Sequence, residues 1–231
     1  MTNMRSSKVS CKKSSTLQGQ NDNKHQTFIP DGMNAAERAV KRTFEILISG
    51  SCMVAFSPLF LLCYILIKCD DGGPAIYRQE RIGMHGKPFT IYKFRSMRAD
   101  AESHGPELSH ANGDEDPRLT RTGKFLRAHH LDELPQLWNI FIGQMAMVGY
   151  RPERKFFIDK ISKEDPRYEF LYQIRPGITS HATLYNGYTD TMEKMLRRLE
   201  LDLYYLEHRS WWLDIKILSL TFFGIIFGKK F

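Results

Sequence analysis

The chain has 231 residues, of which 42% are hydrophobic and 26% are charged, and its net charge is +7. This length allows one domain with a real core, and the mixed composition excludes a chain that is disordered throughout. The basic surplus predicts anionic partners, such as phosphorylated ligands, nucleic acid or an anionic membrane face. The four cysteines form no C-x-x-C pair, which argues against a zinc framework and favours reduced, buried or lipid-facing thiols.

The first 33 residues are rich in Ser, Lys, Asn and Gln and contain few apolar residues. A segment of this composition cannot bury enough apolar surface to fold, so we expect a disordered tail. The tail lacks the basic, apolar and small-residue order of a signal peptide.

Residues 46–67 form a run of 22 residues without a charge. As one unbroken helix this run would extend roughly 33 Å, which is enough for a bilayer core. However, Ser57 and Pro58 lie in its middle, where proline removes a backbone hydrogen bond and bends a helix. Basic residues flank the run on both sides, so the positive-inside rule selects no orientation. A re-entrant helix that enters and leaves on one face satisfies both observations. A kinked full span and a buried core helix remain open.

The rest of the chain alternates short segments typical of strands and helices, which predicts a mixed α/β (α+β) fold. In chain order the pattern predicts two short strands joined by a turn at residues 83–88, a loop at 99–118, two short helices within 120–144, a strand and a tight turn at 145–153, a helix to residue 162, a loop at 172–180, a long amphipathic helix at 190–210 and a final apolar helix at 211–231. The final helix suits either the membrane interface or a core.

Several basic residues lie in short turns, which makes them candidates for binding an anion: Lys93, Arg95, Arg98, Arg118, Arg121, Arg151 and Arg175. Arg151 and Arg175 each precede a proline, which restricts the residue before it to an extended conformation. An arginine on such a turn can grip a phosphate at two points, although a solvated surface arginine is the alternative for any single one. No nucleic-acid-binding signature is present, so we expect a phosphorylated small molecule at a membrane and no nucleic acid.

Two adjacent carboxylates, Asp132 and Glu133, occur in the stretch "HHLDELPQLWN". They either cap a helix or form a reactive pair. An aspartate can attack phosphorus to make an acyl phosphate, and a divalent cation would neutralise a diphosphate beside it. Asp202, in "LELDLYY", is likewise either a solvated helix residue or part of a site.

These segments together resemble the bacterial sugar transferases, the monotopic phosphoglycosyl transferases, in their minimal form. The resemblance covers residues 41–227. It is carried in order by "KRTFEILISG", "SPLFLL", "YRQERIGMHGKPFTIYKFRSM", "DPRLTRTGKFLR", "LDELPQLWN", "GYRP", "RPGIT" and "LELDLYYLEHRSWWLDIKIL".

The resemblance implies transfer of a sugar 1-phosphate from a nucleotide sugar, usually a UDP-sugar, to undecaprenyl phosphate with release of UMP. It implies a covalent phosphosugar-aspartate intermediate, Mg2+ as cofactor, and the first step of a surface glycan. The partners it implies are the nucleotide sugar, undecaprenyl phosphate and inner-membrane lipids, with downstream glycosyltransferases and a homodimer as further candidates. The expected place is the cytoplasmic face of the bacterial inner membrane.

Matching the motifs assigns the roles residue by residue. The resemblance makes Asp132 the nucleophile and Glu133 its partner, both near the metal, and makes Ser57-Pro58 the break of the membrane helix. The residues expected to bind substrate or phosphate, including Arg175 from its Arg-Pro turn, are Lys93, Arg95, Arg151, Arg175 and Asp202. The implied organisation is a tail at residues 1–33, a re-entrant helix at 34–69 and a cytoplasmic catalytic domain with interfacial helices at 70–231.

Two positions depart from the family's usual pattern. Tyr150 stands where the family commonly has proline in Gly-Pro-Arg-Pro, so we expect the phosphate role of Arg151 to survive on a less rigid turn. Tyr188 stands where many members have arginine, which puts that anion contact in doubt. A membrane phosphatase or hydrolase with the same carboxylates, and a non-catalytic membrane scaffold, remain the alternative functions.

Overall fold

The computed structural model describes residues 28–98, 100–101, 116–187 and 189–227 of the chain. Most of the predicted loop at 99–118, and position 188, lie outside these residues. The described residues form eight α-helices and four β-strands with three short 3-10 turns between them. The predicted mixture of helices and strands is therefore confirmed.

Two consecutive helices begin the fold. Helix α1 (Ala35–Ala55) starts at a capping box, in which the Asn34 side chain accepts from the Glu37 N–H at 2.9 Å and Glu37 accepts from the Asn34 N–H at 2.8 Å. Helix α2 (Ser57–Asp71) follows after Phe56 and ends at Gly72, whose φ of 72° a glycine adopts without strain.

The two helices are bent by 60° relative to each other at the break. The bend lies at the predicted position, because Pro58 has no N–H to continue the hydrogen bonding of α1. In the described part of the chain, no single helix is long and apolar enough to cross a membrane. The two bent helices taken together do have sufficient length and apolar composition.

An antiparallel hairpin follows, as predicted. Strand β1 (Ile76–Ile82) pairs with strand β2 (Pro88–Phe94) in a register that places Tyr77 opposite Lys93. The connecting turn has positive φ at His85 and Gly86.

The two predicted short helices are α3 (Arg121–Ala128) and α4 (Gln136–Phe141), and a 3-10 turn at Leu131–Glu133 lies between them. Strand β3 (Ala146–Val148) comes next, then helix α5 (Lys155–Glu164) and a 3-10 segment at Pro166–Gln173. The helices α3, α4 and α5 and strand β3 agree with the prediction, whereas the two 3-10 segments were not predicted.

The predicted loop at residues 172–180 is wrong. Strand β4 (Gly177–Thr179) lies within it and pairs in parallel with β3, with Ala146 opposite Gly177 and Val148 opposite Thr179. Three residues are too few to show an alternation, so only the neighbouring strand reveals this one. Helix α6 (His181–Asn186) directly follows and was also not predicted.

The last two helices are α7 (Met192–His208) and α8 (Trp211–Ile226), both in the predicted places. The apolar face of α7 forms the centre of the largest core cluster, with Leu199, Leu203 and Leu206 almost fully buried. Residues before α1 also pack here. Ile29 and Met33 are buried, and the Gly32 N–H donates to the Leu206 carbonyl at 3.0 Å. The packed chain thus includes residues 28–33, which the sequence assigned to the tail.

A group of buried polar side chains joins α1, β3 and α8, and we call it the buried joint. Its members are Lys41, Glu45, Tyr205 and Asp214. Lys41 Nζ donates to Asp214 Oδ2 at 2.5 Å, to the Val148 carbonyl at 3.0 Å and to the Tyr205 hydroxyl at 3.2 Å. Tyr205 donates to Asp214 Oδ1 at 2.6 Å, and Glu45 accepts from the Met147 N–H at 3.1 Å. The joint therefore fixes the first helix relative to β3, the strand that leads to Arg151.

Candidate active site

The two carboxylates lie in the 3-10 turn Leu131–Glu133. The turn is entered through His130, whose φ of 54° is in the left-handed region. Helix α4 starts three residues after Glu133 without any side-chain cap, so neither carboxylate caps it. The capping interpretation is wrong, because the chain makes a separate turn before the helix begins.

Lys93 connects the hairpin to this turn. It lies near the end of β2, and its Nζ donates to Glu133 Oε1 at 2.7 Å. Arg151 Nη2 lies 3.7 Å from the same oxygen. Glu133 is thus held between two cations that come from different parts of the fold.

These surroundings separate the two carboxyl groups electrostatically. Burial alone would raise the pKa of Glu133, but the positive charges of Lys93 and Arg151 outweigh it and lower that pKa from 4.5 to about 2. Asp132 is only 8% exposed, and burial raises its pKa. The negative charge of Glu133 also raises this pKa, whereas the positive charge of Lys93 lowers it by less than burial raises it. Neighbouring carboxyls with separated pKa values are typical of functional sites.

The Arg151 turn is held by close contact with the second Arg-Pro turn. The Gly149 N–H donates to the Thr179 carbonyl at 3.1 Å, and the Gly177 N–H donates to the Tyr150 carbonyl at 2.8 Å. A Cβ at Gly149 would lie 2.3 Å from the Arg175 carbonyl oxygen, so no side chain fits there. This packing fixes the backbone that presents Arg151.

Asp202 lies beneath the same turn and is 2% exposed. Burial raises its pKa from 3.8 to about 7, and the backbone N–H groups of Arg151 and Ala182 hydrogen-bond to it. Its Oδ1 has no hydrogen-bond partner within the described parts of the chain. The structure therefore places Asp202 behind Arg151, where it supports the turn from the α7 side.

The residue after Pro152 also holds this turn in place. Glu153 pairs with Arg198 of α7, and its carboxylate lies 3.4 Å from Arg81 Nη1 of β1. Tyr150, which replaces the family's usual proline, is fully buried in the core. Packing of the Tyr150 ring in the core anchors the residue that precedes Arg151.

Arg95 and Arg175, two further arginines expected to bind phosphate, differ in position. Arg95 is 6% exposed and lines the same cavity as Asp132 and Glu133, which we call the dyad. Its guanidinium packs against Gly73, where a Cβ would lie 2.6 Å from Arg95 Nη1. Arg175 instead donates from Nε to the Gly143 carbonyl at 2.8 Å and does not line that cavity. The fold brings Arg95 to the site and leaves Arg175 behind the turn.

Asp132, Glu133, Lys93, Arg95 and Arg151 line one cavity of about 970 Å3. Nine lysine and arginine side chains, one histidine and four acidic side chains line it, so the cavity favours an anionic ligand. Five basic residues of this lining had no assigned role in the sequence: Arg81, Arg127, His130, Arg154 and Arg198. Only the fold brings them near Asp132 and Glu133. The sequence offered a signal only for His130, a basic residue two positions before Asp132.

The donor set suits a magnesium ion that arrives with a diphosphate. Mg2+ in proteins is usually held by one or two carboxylates together with substrate phosphates and waters. Asp132 and Glu133 can supply those carboxylates, although Lys93 already pairs with one Glu133 oxygen. No cluster of three or more His, Cys, Asp or Glu ligands occurs within the described ranges, so these residues offer no ready-made cage for a resident metal.

Comparison with known proteins assigns the family. The model for the bacterial sugar transferases matches residues 36–228. The chain therefore belongs to the bacterial sugar transferase family, as its motifs predicted.

Curated relatives agree with this assignment. A UDP-N-acetylgalactosamine-undecaprenyl-phosphate N-acetylgalactosaminephosphotransferase of Aeromonas hydrophila is 38% identical over 189 residues, which are 82% of this chain and 44% of that protein. UDP-glucose:undecaprenyl-phosphate glucose-1-phosphate transferases of Klebsiella pneumoniae and Caulobacter vibrioides are each 39% identical to this chain. The match covers 86% of this chain and 42% of the Klebsiella protein. It covers 78% of this chain and 67% of the Caulobacter protein. The chain spans less than half the length of the first two relatives.

Proposed function

We propose that this protein transfers a sugar 1-phosphate from a UDP-sugar to undecaprenyl phosphate, by way of a covalent intermediate on Asp132. The relatives' names support the two substrates, since each contains a UDP-sugar and undecaprenyl phosphate. The product would be an undecaprenyl diphosphate sugar, the first lipid-linked intermediate of a surface glycan.

One observation carries this proposal: the buried Asp132, the half-buried Glu133 and the cations paired with Glu133 meet in a single cavity large enough for a nucleotide sugar. Ligand sites are typically about 300–1,000 Å3 in volume, and this cavity lies in that range. A structural ion pair would be closed to ligands, whereas Asp132 lines the cavity.

In the first half-reaction, a carboxylate oxygen of Asp132 attacks the phosphorus that bears the sugar. A bond forms between Asp132 and phosphorus, and the bond from that phosphorus to the bridging oxygen breaks. UMP leaves with both electrons of that bond. Lys93 and Arg151 lie beside the carboxylates and would stabilise the charge on the transferring phosphoryl oxygens.

In the second half-reaction, a phosphate oxygen of undecaprenyl phosphate attacks the same phosphorus. The acyl phosphate bond to Asp132 breaks, and the carboxylate returns to its starting state. The low pKa of Glu133 keeps that group ionised beside Asp132 throughout. Asp132 and Glu133 are the residues that would hold Mg2+ when the nucleotide sugar binds, and the ion would neutralise part of the phosphate charge.

We place the protein at the cytoplasmic face of the bacterial inner membrane, with α1 and α2 as a re-entrant pair. The 60° bend supports this placement. The exposed apolar residues of both helices also support it, and Leu47, Val54 and Leu61 are the most exposed of them. Single cysteines placed at both ends of residues 34–70 should react with an impermeant thiol reagent only from the cytoplasmic side. Labelling of the two ends from opposite sides would contradict the re-entrant placement.

The reaction is tested with the purified full chain, Mg2+, undecaprenyl phosphate and a panel of UDP-sugars that includes UDP-glucose and UDP-N-acetylgalactosamine. We expect UMP release and a lipid-linked product with at least one sugar. Without lipid, mass spectrometry should detect a phosphosugar adduct on the peptide that contains Asp132.

Asp132→Asn should abolish both the adduct and turnover. Asp159→Asn is the matched control, because Asp159 is an exposed carboxylate that pairs only with Lys155 among the ion pairs of the described residues. Release of free sugar 1-phosphate without a lipid acceptor would indicate a hydrolase instead. Full activity of Asp132→Asn would exclude the nucleophile assignment.

A further inference from the structure

The cavity of the dyad has two chemically different sides. Lys93, Arg151 and the carboxylates make one part of its lining polar, whereas another part comes from the last helix, α8. The α8 residues that line the cavity are Leu218, Thr221, Phe222 and Ile225, and we call them the α8 wall. Their spacing of three, one and three positions places them on one face of a helix.

The α8 wall is fixed at two points. Asp214, in the first turn of α8, is paired with Lys41 in the buried joint. Farther along, the Thr221 hydroxyl lies 2.9 Å from the Thr179 hydroxyl at the end of β4. No charged residue occurs in the helix after Lys216, so the wall lies on an entirely uncharged stretch. The fold therefore holds an apolar surface against a basic cavity.

The α8 wall is too apolar for the nucleotide sugar. Apart from the face of its uracil ring, a UDP-sugar is polar along its length, and the leucine, phenylalanine and isoleucine side chains together offer more apolar surface than that one ring would cover. Phe222 is 62% exposed and Ile225 is 39% exposed, which leaves apolar area available to a ligand. The ligand that matches both sides of the cavity has an anionic head and a long apolar tail.

We propose that the α8 wall binds the polyprenyl chain of the acceptor lipid and guides its phosphate to Asp132. This inference rests on the proposed function, since it presumes a polyprenyl phosphate acceptor. The basic lining attracts the phosphate, and the wall excludes water from the first part of the tail. The tail then continues along the exposed end of α8 toward the bilayer.

The helix supplies a matched pair of variants. Phe222 and Phe223 are adjacent, uncharged and similarly exposed, at 62% and 53%, but only Phe222 lines the cavity. A general loss of membrane affinity would affect both positions equally. Loss of a specific contact with the acceptor would affect Phe222 alone.

The first experiment measures the two half-reactions separately with the full chain in nanodiscs. Phe222→Ala should raise the KM for polyprenyl phosphate about tenfold, which corresponds to about 1.4 kcal/mol. The amount of Asp132 adduct formed from the UDP-sugar without lipid should equal that of Phe223→Ala. Phe222→Leu, which keeps an apolar side chain, should restore most of the affinity for the lipid.

A second experiment does not depend on turnover. A polyprenyl phosphate with a photoreactive group near its phosphate end should label the α8 peptide that contains residues 218–225. Unlabelled polyprenyl phosphate should compete with this labelling, whereas a glycerophospholipid should not. Phe222→Ala should reduce the labelling, and Phe223→Ala should not.

Equal KM values for Phe222→Ala and Phe223→Ala, or labelling that a glycerophospholipid displaces, would overturn the proposal and make α8 a general membrane contact. Failure of the proposed function has a different signature. In that case the wild-type protein forms no Asp132 adduct with any UDP-sugar, whatever happens at α8.

Discussion

The buried joint and the catalytic cavity both contain desolvated charges, but the two regions pair them differently. In the joint, Lys41 contacts three oxygen acceptors, and Asp214 receives hydrogen bonds from Lys41 and Tyr205. In the cavity, nine lysine and arginine side chains face four acidic ones, and burial raises the pKa of Asp132. One region is closed, and its charged groups are hydrogen-bonded to one another or to the backbone, whereas the other is open and has surplus positive charge.

The difference shows how to separate structural from functional charges. A buried ion pair with satisfied hydrogen bonds holds elements together, and removal of one partner leaves the other uncompensated. A surplus of positive charge beside a carboxylate that lines a cavity instead favours the binding of an anionic ligand. Mutations in the joint should therefore change stability, and mutations in the cavity should change activity.

The largest expected effect is on activity. Asp132→Asn should reduce turnover by at least about 10³-fold, because loss of a nucleophile removes the covalent route. The unfolding free energy should change by less than about 1 kcal/mol, since burial already opposes the charged form of Asp132. Chemical denaturation in detergent measures the unfolding free energy, and the UMP assay measures turnover. A large loss of stability would erase the contrast with the joint.

Lys41→Met should give the reverse result. It leaves Asp214 buried without its cation, which we expect to lower the unfolding free energy by about 3–5 kcal/mol. Lys155→Met is the control, because the Lys155–Asp159 pair is exposed and such pairs contribute about 0–1 kcal/mol. Equal effects of the two substitutions in a denaturation series would show that the joint is not a stabilising contact.

Asp202 should make stability depend on pH. Its pKa in the folded state, about 7, lies above the ordinary aspartate value of 3.8, so the folded state binds more protons than the unfolded state between these pH values. Stability from this group is therefore present below pH 3.8 and is lost as the pH rises through about 7. Denaturation curves across this range should show the loss in wild type, and a smaller one in Asp202→Asn. Identical slopes would mean that Asp202 ionises normally.

The smallest effect is expected at two buried tyrosines. The Tyr150 hydroxyl has no hydrogen-bond partner in the described portions of the chain, so Tyr150→Phe should raise the unfolding free energy by up to about 1 kcal/mol. Tyr205→Phe should lower it by about 1–3 kcal/mol, because it removes the hydrogen bond to Asp214 at 2.6 Å. A stabilising Tyr205→Phe would contradict the view that the joint is fully paired.

Elements with a strong local signal could be predicted. The hairpin has alternating strands around a glycine-containing turn, α7 keeps leucines at helical spacing, and Pro58 breaks the apolar run. Strand β4 and helix α6 were missed, because three residues of strand and six of helix have no measurable period. The predicted placement of Arg175 with the other anion-binding residues does not agree with the cavity lining, because its guanidinium turns toward Gly143.

The sequence by itself determined the family, the order of the main elements and the carboxylate pair Asp132–Glu133, since these depend on motifs and on local periodicity. Only the tertiary structure decided which charges meet. It separated Asp214 in the joint from Asp202 beneath the Arg151 turn, although each is a single acidic residue between apolar neighbours in the sequence, and it placed Asp132 in the cavity. The physical reason is that pairing and desolvation arise between segments far apart in the chain, and no local pattern encodes them.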